Sequence, residues 1–176
     1  KVKNLVQKID ILILILRNFD SELSAEPKDP VNEYRKIKDD MIITDCLVIE
    51  KKIERDIKEN KNSPEIPVIK RINKILEENK FPNESDLTSE ENKVISNYNF
   101  LTLKKIVVLV NQEEGNNEIP EELKKILHED GISYFSISAS LEKELNKIPI
   151  HERQSFLEEF GLKESASNRF IKHLYK

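Results

Sequence analysis

The sequence predicts an α/β protein with a mostly parallel sheet, flanking helices and an inserted helical arm. Two continuous apolar runs, Ile11–Leu16 and Ile106–Val110, have strand length and are β-branched except at their leucines. Such runs suit strands covered on both faces in a parallel sheet. A helical pattern opened by Pro120 and a further apolar segment, Ile132–Ile137, follow the second run. Strand, helix and strand make a βαβ unit, expected to be right-handed. Between the two runs the periodicity turns helical for about 30 residues from Pro30, roughly 45 Å of helix.

Composition narrows the function classes. With 176 residues, 38% hydrophobic and 35% charged, the chain can bury one sizeable core with an appendage. The longest apolar run is six residues, against about 18 for a membrane helix, so no membrane partner is expected. A net charge of -4 with both signs interleaved leaves nucleic-acid binding to a local patch. Cys46 is the only cysteine, so no internal disulfide is possible and a reducing, cytoplasmic setting is expected. The sequence opens at Lys1 with neither Met nor a signal peptide, and a longer parent protein is expected.

The elements follow in order. Lys1–Lys8, with Val2, Leu5, Val6 and Ile9 at helical spacing, reads as the last turns of a helix. The strand Ile11–Leu16 exits through Arg17-Asn18-Phe19-Asp20, where Phe19 is either a rim aromatic or a residue touching a ligand at the strand end. Ser21–Lys28 is polar, and Asp29-Pro30 supplies an N-cap and a first-turn proline. Ile42, Cys46, Ile49, Ile53 and Ile57 then form a narrow stripe with the character of a coiled-coil seam, and Glu50, Lys51, Lys52, Glu54 and Arg55 fill the other faces.

Asn60, Asn62, Ser63, Pro64 and Pro67 interrupt that pattern before a second helix carrying Ile69, Ile72 and Leu76. Two antiparallel helices joined in this way make an arm. Lys70, Arg71, Lys74 and Lys80 offer either a basic surface for RNA or an ordinary solvated face. Thr88-Ser-Glu-Glu91 is a capping box for a short return helix leading to Tyr98 and Phe100. After the βαβ unit, Ser140 or a neighbour caps a helix through Leu145, and Pro149 opens the next, which closes at Gly161. A last helix carries Phe170, Ile171, Leu174 and Tyr175.

Ligands of open α/β sheets sit at the carboxyl ends of the strands, which puts Asn111, Gln112, Glu113 and Glu114 at a candidate site. An Asn followed three residues later by an acid resembles the NKxD element with which P-loop GTPases read a base, and Ser138-Ala139 resembles the loop that closes over that base. The ordered set runs from Arg-x-Phe through Asp-Pro-Val, Asn-x-x-Glu and Ser-Ala to Phe156-Leu-Glu-Glu-Phe-Gly-Leu162. Over essentially the whole chain it resembles the YchF or Obg-like ATPase family of P-loop NTPases.

The resemblance implies a partial Ras-like G domain at 1–28 and 97–176, with a coiled-coil arm and return helix at 29–96. It also implies ATP or GTP with magnesium as cofactor, hydrolysis of that nucleotide, and association with ribosomes through the arm. The base-binding residues it implies are Asn111, Gln112, Glu114, Ser138 and Ala139, with Phe19 beside them. Asn111 alone leans toward adenine, because one amide can accept from the 6-amino group while donating to N7.

The departures from the family pattern are large. The chain has three glycines, none followed by Lys-Ser or Lys-Thr, and the residues three before them are Gln112, His128 and Glu158. A phosphate loop and a DxxG motif are therefore missing, and the C-terminal TGS domain of complete members is missing as well. Catalytic residues are expected outside this chain, as are the magnesium and phosphate ligands, and the chain by itself is expected to be inactive. His128, His151 and His173 fall on separate charged segments and suggest surface imidazoles, so no metal site is expected. The alternative function is a non-catalytic interaction module whose arm docks on a protein or RNA.

Overall fold

The computed structural model of the chain describes residues 9, 11–21, 26–59, 63–116 and 118–174. The helical turns expected over Lys1–Lys8 lie outside these residues, as do Asn60, Asn62, Tyr175 and part of the Ser21–Lys28 segment. The chain divides into two units, one of Lys1–Leu12 with Tyr34–Ile106 and the other of Ile13–Glu33 with Val107–Lys176.

The long helical pattern becomes α1, Pro30–Lys58. Its start is as the sequence predicts: Asp29 Oδ1 accepts from the Asn32 amide at 2.9 Å, satisfying a donor the first turn leaves unpaired. The face that α1 buries differs from the expected one. Tyr34, Lys38, Met41, Ile42, Asp45, Ile49, Lys52 and Asp56 are buried, while Ile57 is 70% exposed. Cys46 and Ile53 are only half-buried.

The expected Ile42–Ile57 seam is thus rotated, and Lys52, assigned to an outer face, is inside. Polar partners supplied by distant residues explain the difference. Lys52 Nζ lies 2.7 Å from Asp56 Oδ1 and 3.0 Å from Glu65 Oε1, and it donates to Ser63 Oγ at 3.3 Å. The Tyr98 hydroxyl donates to Glu65 at 3.1 Å. Charges enter an interior when paired and hydrogen-bonded, so a face too charged for a core on sequence grounds is buried here.

The second helix, α2 (Ile66–Glu77), buries Val68, Ile69, Ile72 and Leu76, the predicted stripe with one residue added. It stops where Asn79 takes a left-handed φ of 55° and the Lys80 amide turns back to the Ile75 carbonyl. The capping box holds for α3 (Ser89–Ile95), with the Glu91 amide donating to Thr88 Oγ1 at 3.2 Å and the Thr88 amide to Glu91 Oε2 at 2.8 Å. Arg71 Nη2 meets Glu91 at 2.8 Å and ties α2 to α3. Beyond α3 the Tyr98 and Phe100 rings stack at 5.6 Å. Asp45 then joins α1 to the turn Leu101–Leu103: its carboxylate accepts from the Leu101 amide at 3.0 Å and from the Thr102 amide and hydroxyl at 2.8 Å each.

The sheet runs in the order β1 (Ile11–Asn18), β2 (Lys105–Gln112), β3 (Ser133–Ile137). Strands β2 and β3 pair in parallel, with Val107 opposite Ser133 and Asn111 opposite Ile137. Val107, Val108 and Val110 are fully buried, as expected of a strand covered on both faces. Strand β1 does not meet that expectation: Ile13 is 44% and Ile15 64% exposed, while Leu16 is buried. It lies at an edge of the sheet, and Ile13 and Ile15 share one face by alternation, the face that stays open to solvent over this strand. Strand β2 also continues past its expected end at Asn111, to Gln112.

Helix α4 (Glu121–Glu129) completes the βαβ unit and buries Leu123 and Leu127. The remaining α-helices among the described residues are α5 (Ala139–Leu145), α6 (Arg153–Glu159) and α7 (Ala166–Leu174). After α6, Gly161 at φ 67° lets the Gly161 and Leu162 amides return to the carbonyls of Glu158 and Leu157. This is the left-handed cap for which the glycine is needed.

Asp45, Asp56 and the half-buried Glu65 predict opposite pH behaviour. Desolvation pushes the Asp45 carboxyl above its ordinary 3.8, against the lowering effect of its hydrogen bonds. Hydrogen bonding to Lys52 holds Asp56 and Glu65 below their ordinary 3.8 and 4.5. Folded Asp45 binds its proton more tightly than the unfolded chain does, so its contribution to stability grows as pH falls from the raised value to 3.8. Asp56 and Glu65 contribute above 3.8 and 4.5, and lose that contribution as pH falls through their lowered values. Denaturant midpoints between pH 7 and 4 are expected to show the stability of Asp45→Asn, relative to the unmodified chain, falling on acidification. Asp45→Leu is expected to cost about 2–4 kcal/mol at pH 7, because the buried amide and hydroxyl of Thr102 and the part-buried Leu101 amide lose their acceptor.

Candidate functional site

The carboxyl ends of β2 and β3 meet in the second unit, and strand geometry decides what each residue there can reach. Successive side chains point to opposite faces, so Asn111 and Gln112 have different surroundings. Asn111 Oδ1 accepts from the Ala139 amide at 3.0 Å, which joins the end of β2 to the first turn of α5. Ser138 caps that helix, its hydroxyl accepting from the Leu141 amide at 3.3 Å and lying 3.1 Å from Ser140 Oγ. The cap is therefore Ser138, where the sequence left Ser140 or a neighbour. Asn111, Ser138 and Ala139 are thus brought together. A carbonyl oxygen has two lone pairs and an amide nitrogen two hydrogens, so Asn111 keeps the capacity to pair with a planar edge.

Glu113 and Glu114 are exposed on a turn closed by the Asn116 amide donating to the Glu113 carbonyl at 3.1 Å. Gly115, at φ 77°, makes that turn possible. Gln112 is 2% exposed; its Oε1 accepts from Asn18 Nδ2 at 2.6 Å and its Nε2 donates to the Glu118 carbonyl at 3.1 Å.

Phe19 is half-buried just past β1, and its carbonyl accepts from Arg17 Nη1 at 3.1 Å. The same guanidinium donates to the carbonyls of Glu26 and Pro27 at 2.9 and 3.0 Å, and the Arg17 amide donates to Glu33 Oε2 at 2.9 Å. Arg17 and Asn18 thus organise the strand exit, a role sequence reasoning missed. A polar pair at the end of an apolar run was the only signal.

Two hollows adjoin these loops. A small cleft is lined by Glu113, Gly115, Ser138, Glu142 and Arg169 among others, and Arg169 Nη2 is tied to the Ser136 carbonyl at 3.2 Å. A wider, open depression of about 490 Å³ has Leu109, Ile137 and Phe170 on its walls and Glu142 and Lys143 among its polar residues. Glu142 accepts from the Ala166 amide at 2.6 Å and from the Ser167 hydroxyl at 2.9 Å, which fixes the start of α7 beside both hollows. Among the described residues no three His, Cys, Asp or Glu side chains converge as a metal site. His128 and His151 are exposed. No described helix is long and apolar enough to cross a membrane.

No family model matches the chain. Its sequence is 28% identical over 181 residues to the ribosome-binding ATPase YchF of Haemophilus influenzae, spanning 97% of this chain and 50% of that protein. It is 23% identical to the protein of that name from Bacillus subtilis and 26% identical to that from Mycoplasma genitalium, again over 97% of this chain. The chain spans about half the length of the curated relatives it matches. Among solved structures, the Schizosaccharomyces pombe YchF GTPase superposes with a TM-score of 0.81 at 21% identity, covering 97% of this chain and 51% of that one. The fold is accordingly that of a partial Ras-like G domain, mixed α/β with helices around a three-stranded sheet. In sequence over nearly its full length, and in fold, the chain is similar to these YchF proteins.

Proposed function

We propose that this chain carries the base-recognition half of a nucleotide-binding G domain, and that the protein containing it hydrolyses ATP or GTP. The observation that supports this reading best is the hydrogen bond from the Ala139 amide to Asn111 Oδ1. It joins the Asn111-x-x-Glu114 segment to the Ser138-Ala139 segment at the carboxyl ends of parallel strands, where α/β sheets bind ligands. In this reading Asn111 meets the purine edge, Glu114 stands at its rim, and Phe19 flanks it from the exit of β1.

The sequence holds no glycine followed by Lys-Ser or Lys-Thr, the element with which P-loop proteins hold the phosphates and magnesium. Phosphate handling is therefore assigned to no residue of this chain. Since phosphoryl transfer rests on positioning and neutralising those phosphates, the chain by itself is expected to be inactive.

We assign residues 29–96 to contact with a ribosome or RNA. The names of the relatives support this, as do the exposed Lys70 and Lys74 on α2 and the exposed Ile43 and Leu47 on α1. A cytoplasmic setting follows from that role.

Three outcomes test these assignments. In the full-length protein, titration is expected to give ATP an affinity at least equal to that of GTP, and Asn111→Ala to weaken both by about 1–3 kcal/mol; a clear GTP preference counts against the assignment. Phosphate release from Lys1–Lys176 with magnesium and potassium is expected at background. Magnesium-dependent turnover that Asn111→Ala abolishes would show a phosphate site within this chain. Lys70→Glu with Lys74→Glu is expected to lower co-sedimentation with ribosomes about threefold or more at moderate salt without changing nucleotide affinity; unchanged co-sedimentation removes these lysines from the contact surface.

A further inference from the structure

Asn18 and Gln112 form a buried pair at the ends of two strands, 8% and 2% exposed. Asn18 Nδ2 donates to Gln112 Oε1 at 2.6 Å and to the Glu118 carbonyl at 3.3 Å, and Gln112 Nε2 donates to the same carbonyl at 3.1 Å. Three contacts therefore tie the last residue of β1, the last residue of β2 and the backbone beyond the turn Glu113–Asn116. The Glu118 amide in turn donates to Asn116 Oδ1 at 2.9 Å, so the far end of the turn is held by both its amide and its carbonyl.

We propose that Asn18 and Gln112 are positioning residues for the candidate base site, setting the place of Glu114 and Phe19 relative to Asn111. The inference rests on the base-site reading above. Strand alternation puts Gln112 on the opposite face from Asn111, and its amide is occupied at both ends, so it grips the turn instead of meeting a ligand. Apolar side chains at both positions would fill the same space but would not hold the Glu118 carbonyl. A buried amide without partners is costly, whereas a fully connected pair rigidifies what it touches. Phe19 follows Asn18 directly and Glu114 lies two residues past Gln112, so each has its anchor close by in the chain. Discrimination between purines depends on where the acid stands relative to Asn111, and this pair sets that separation.

The test uses the full-length protein, amide hydrogen exchange over Glu113–Asn116, and titration with fluorescent ATP and GTP analogues. The double variant Asn18→Leu/Gln112→Leu removes both partners together, which keeps the fold more reliably than removing one. Exchange in the turn is expected to rise about tenfold, ATP affinity to fall about tenfold, and the ATP-to-GTP ratio to move toward one. Should that variant not fold, Gln112→Glu keeps the acceptor for Asn18 but loses the donor to Glu118, and is expected to shift all three readouts the same way by a smaller amount.

Unchanged exchange in the turn overturns the grip itself. Faster exchange with unchanged affinity and ratio overturns its role in the site. Asn111→Ala in parallel separates the two readings: if it leaves both nucleotides unaffected, the base-site assignment falls and the positioning role falls with it, while the exchange measurement still decides whether the pair holds the turn.

Discussion

The parallel register of β2 on β3 is the constraint on which the candidate site depends. With Val107 opposite Ser133, Asn111 arrives opposite Ile137, the last residue of β3. The chain then needs only Ser138 to enter α5, and the Ala139 amide falls within 3.0 Å of Asn111 Oδ1. A shift by one residue would exchange Asn111 with Gln112 between faces. It would place a side chain that now binds Asn18 and Glu118 where the helix start is now met. Burial alone does not choose that register, since Val107 and Val108 lie on opposite faces and both are fully buried; the polar contacts of Asn111 and Gln112 distinguish it from its neighbours.

A second constraint governs the helical unit. Helix α1 buries Asp45, Lys52 and Asp56 beside Tyr34 and Ile49, and each charge has partners outside its own helix. Lys52 reaches Glu65 and Ser63, Asp56 accepts from the Ser63 amide at 3.3 Å, and Asp45 holds the Leu101 and Thr102 amides. Hydrophobic contact is indifferent to small rotations of a helix, whereas these bonds are not. They fix which face of α1 is inside and where the segment after α3 begins.

The edge position of β1 shows what the sheet does not cover. Ile13 and Ile15 are exposed although they belong to a run as apolar as that of β2. At the exit of β1 the order is supplied by polar contacts, from Arg17 to three carbonyls and from Asn18 to Gln112. These contacts hold the backbone on either side of Phe19 where the chain leaves β1.

The sequence by itself determined the elements whose causes are local. A run of β-branched residues made β2, Asp29 and Thr88 capped α1 and α3, and Gly161 ended α6, because each of these rests on groups within about four residues of one another. The order of those elements with Asn111-x-x-Glu114 and Ser138-Ala139 was enough to suggest the family. Tertiary structure alone decided which face of α1 is buried, that Lys52 is inside and Ile57 outside, that Gln112 faces away from Asn111's surroundings, and that Arg17 and Asn18 organise the strand exit. The partners that settle those questions are far along the chain: Glu65 from Lys52, Thr102 from Asp45, and Gln112, 94 residues on, from Asn18. Apolar periodicity records how residues repeat along one element, and it carries no information about a polar group that another segment brings to meet them.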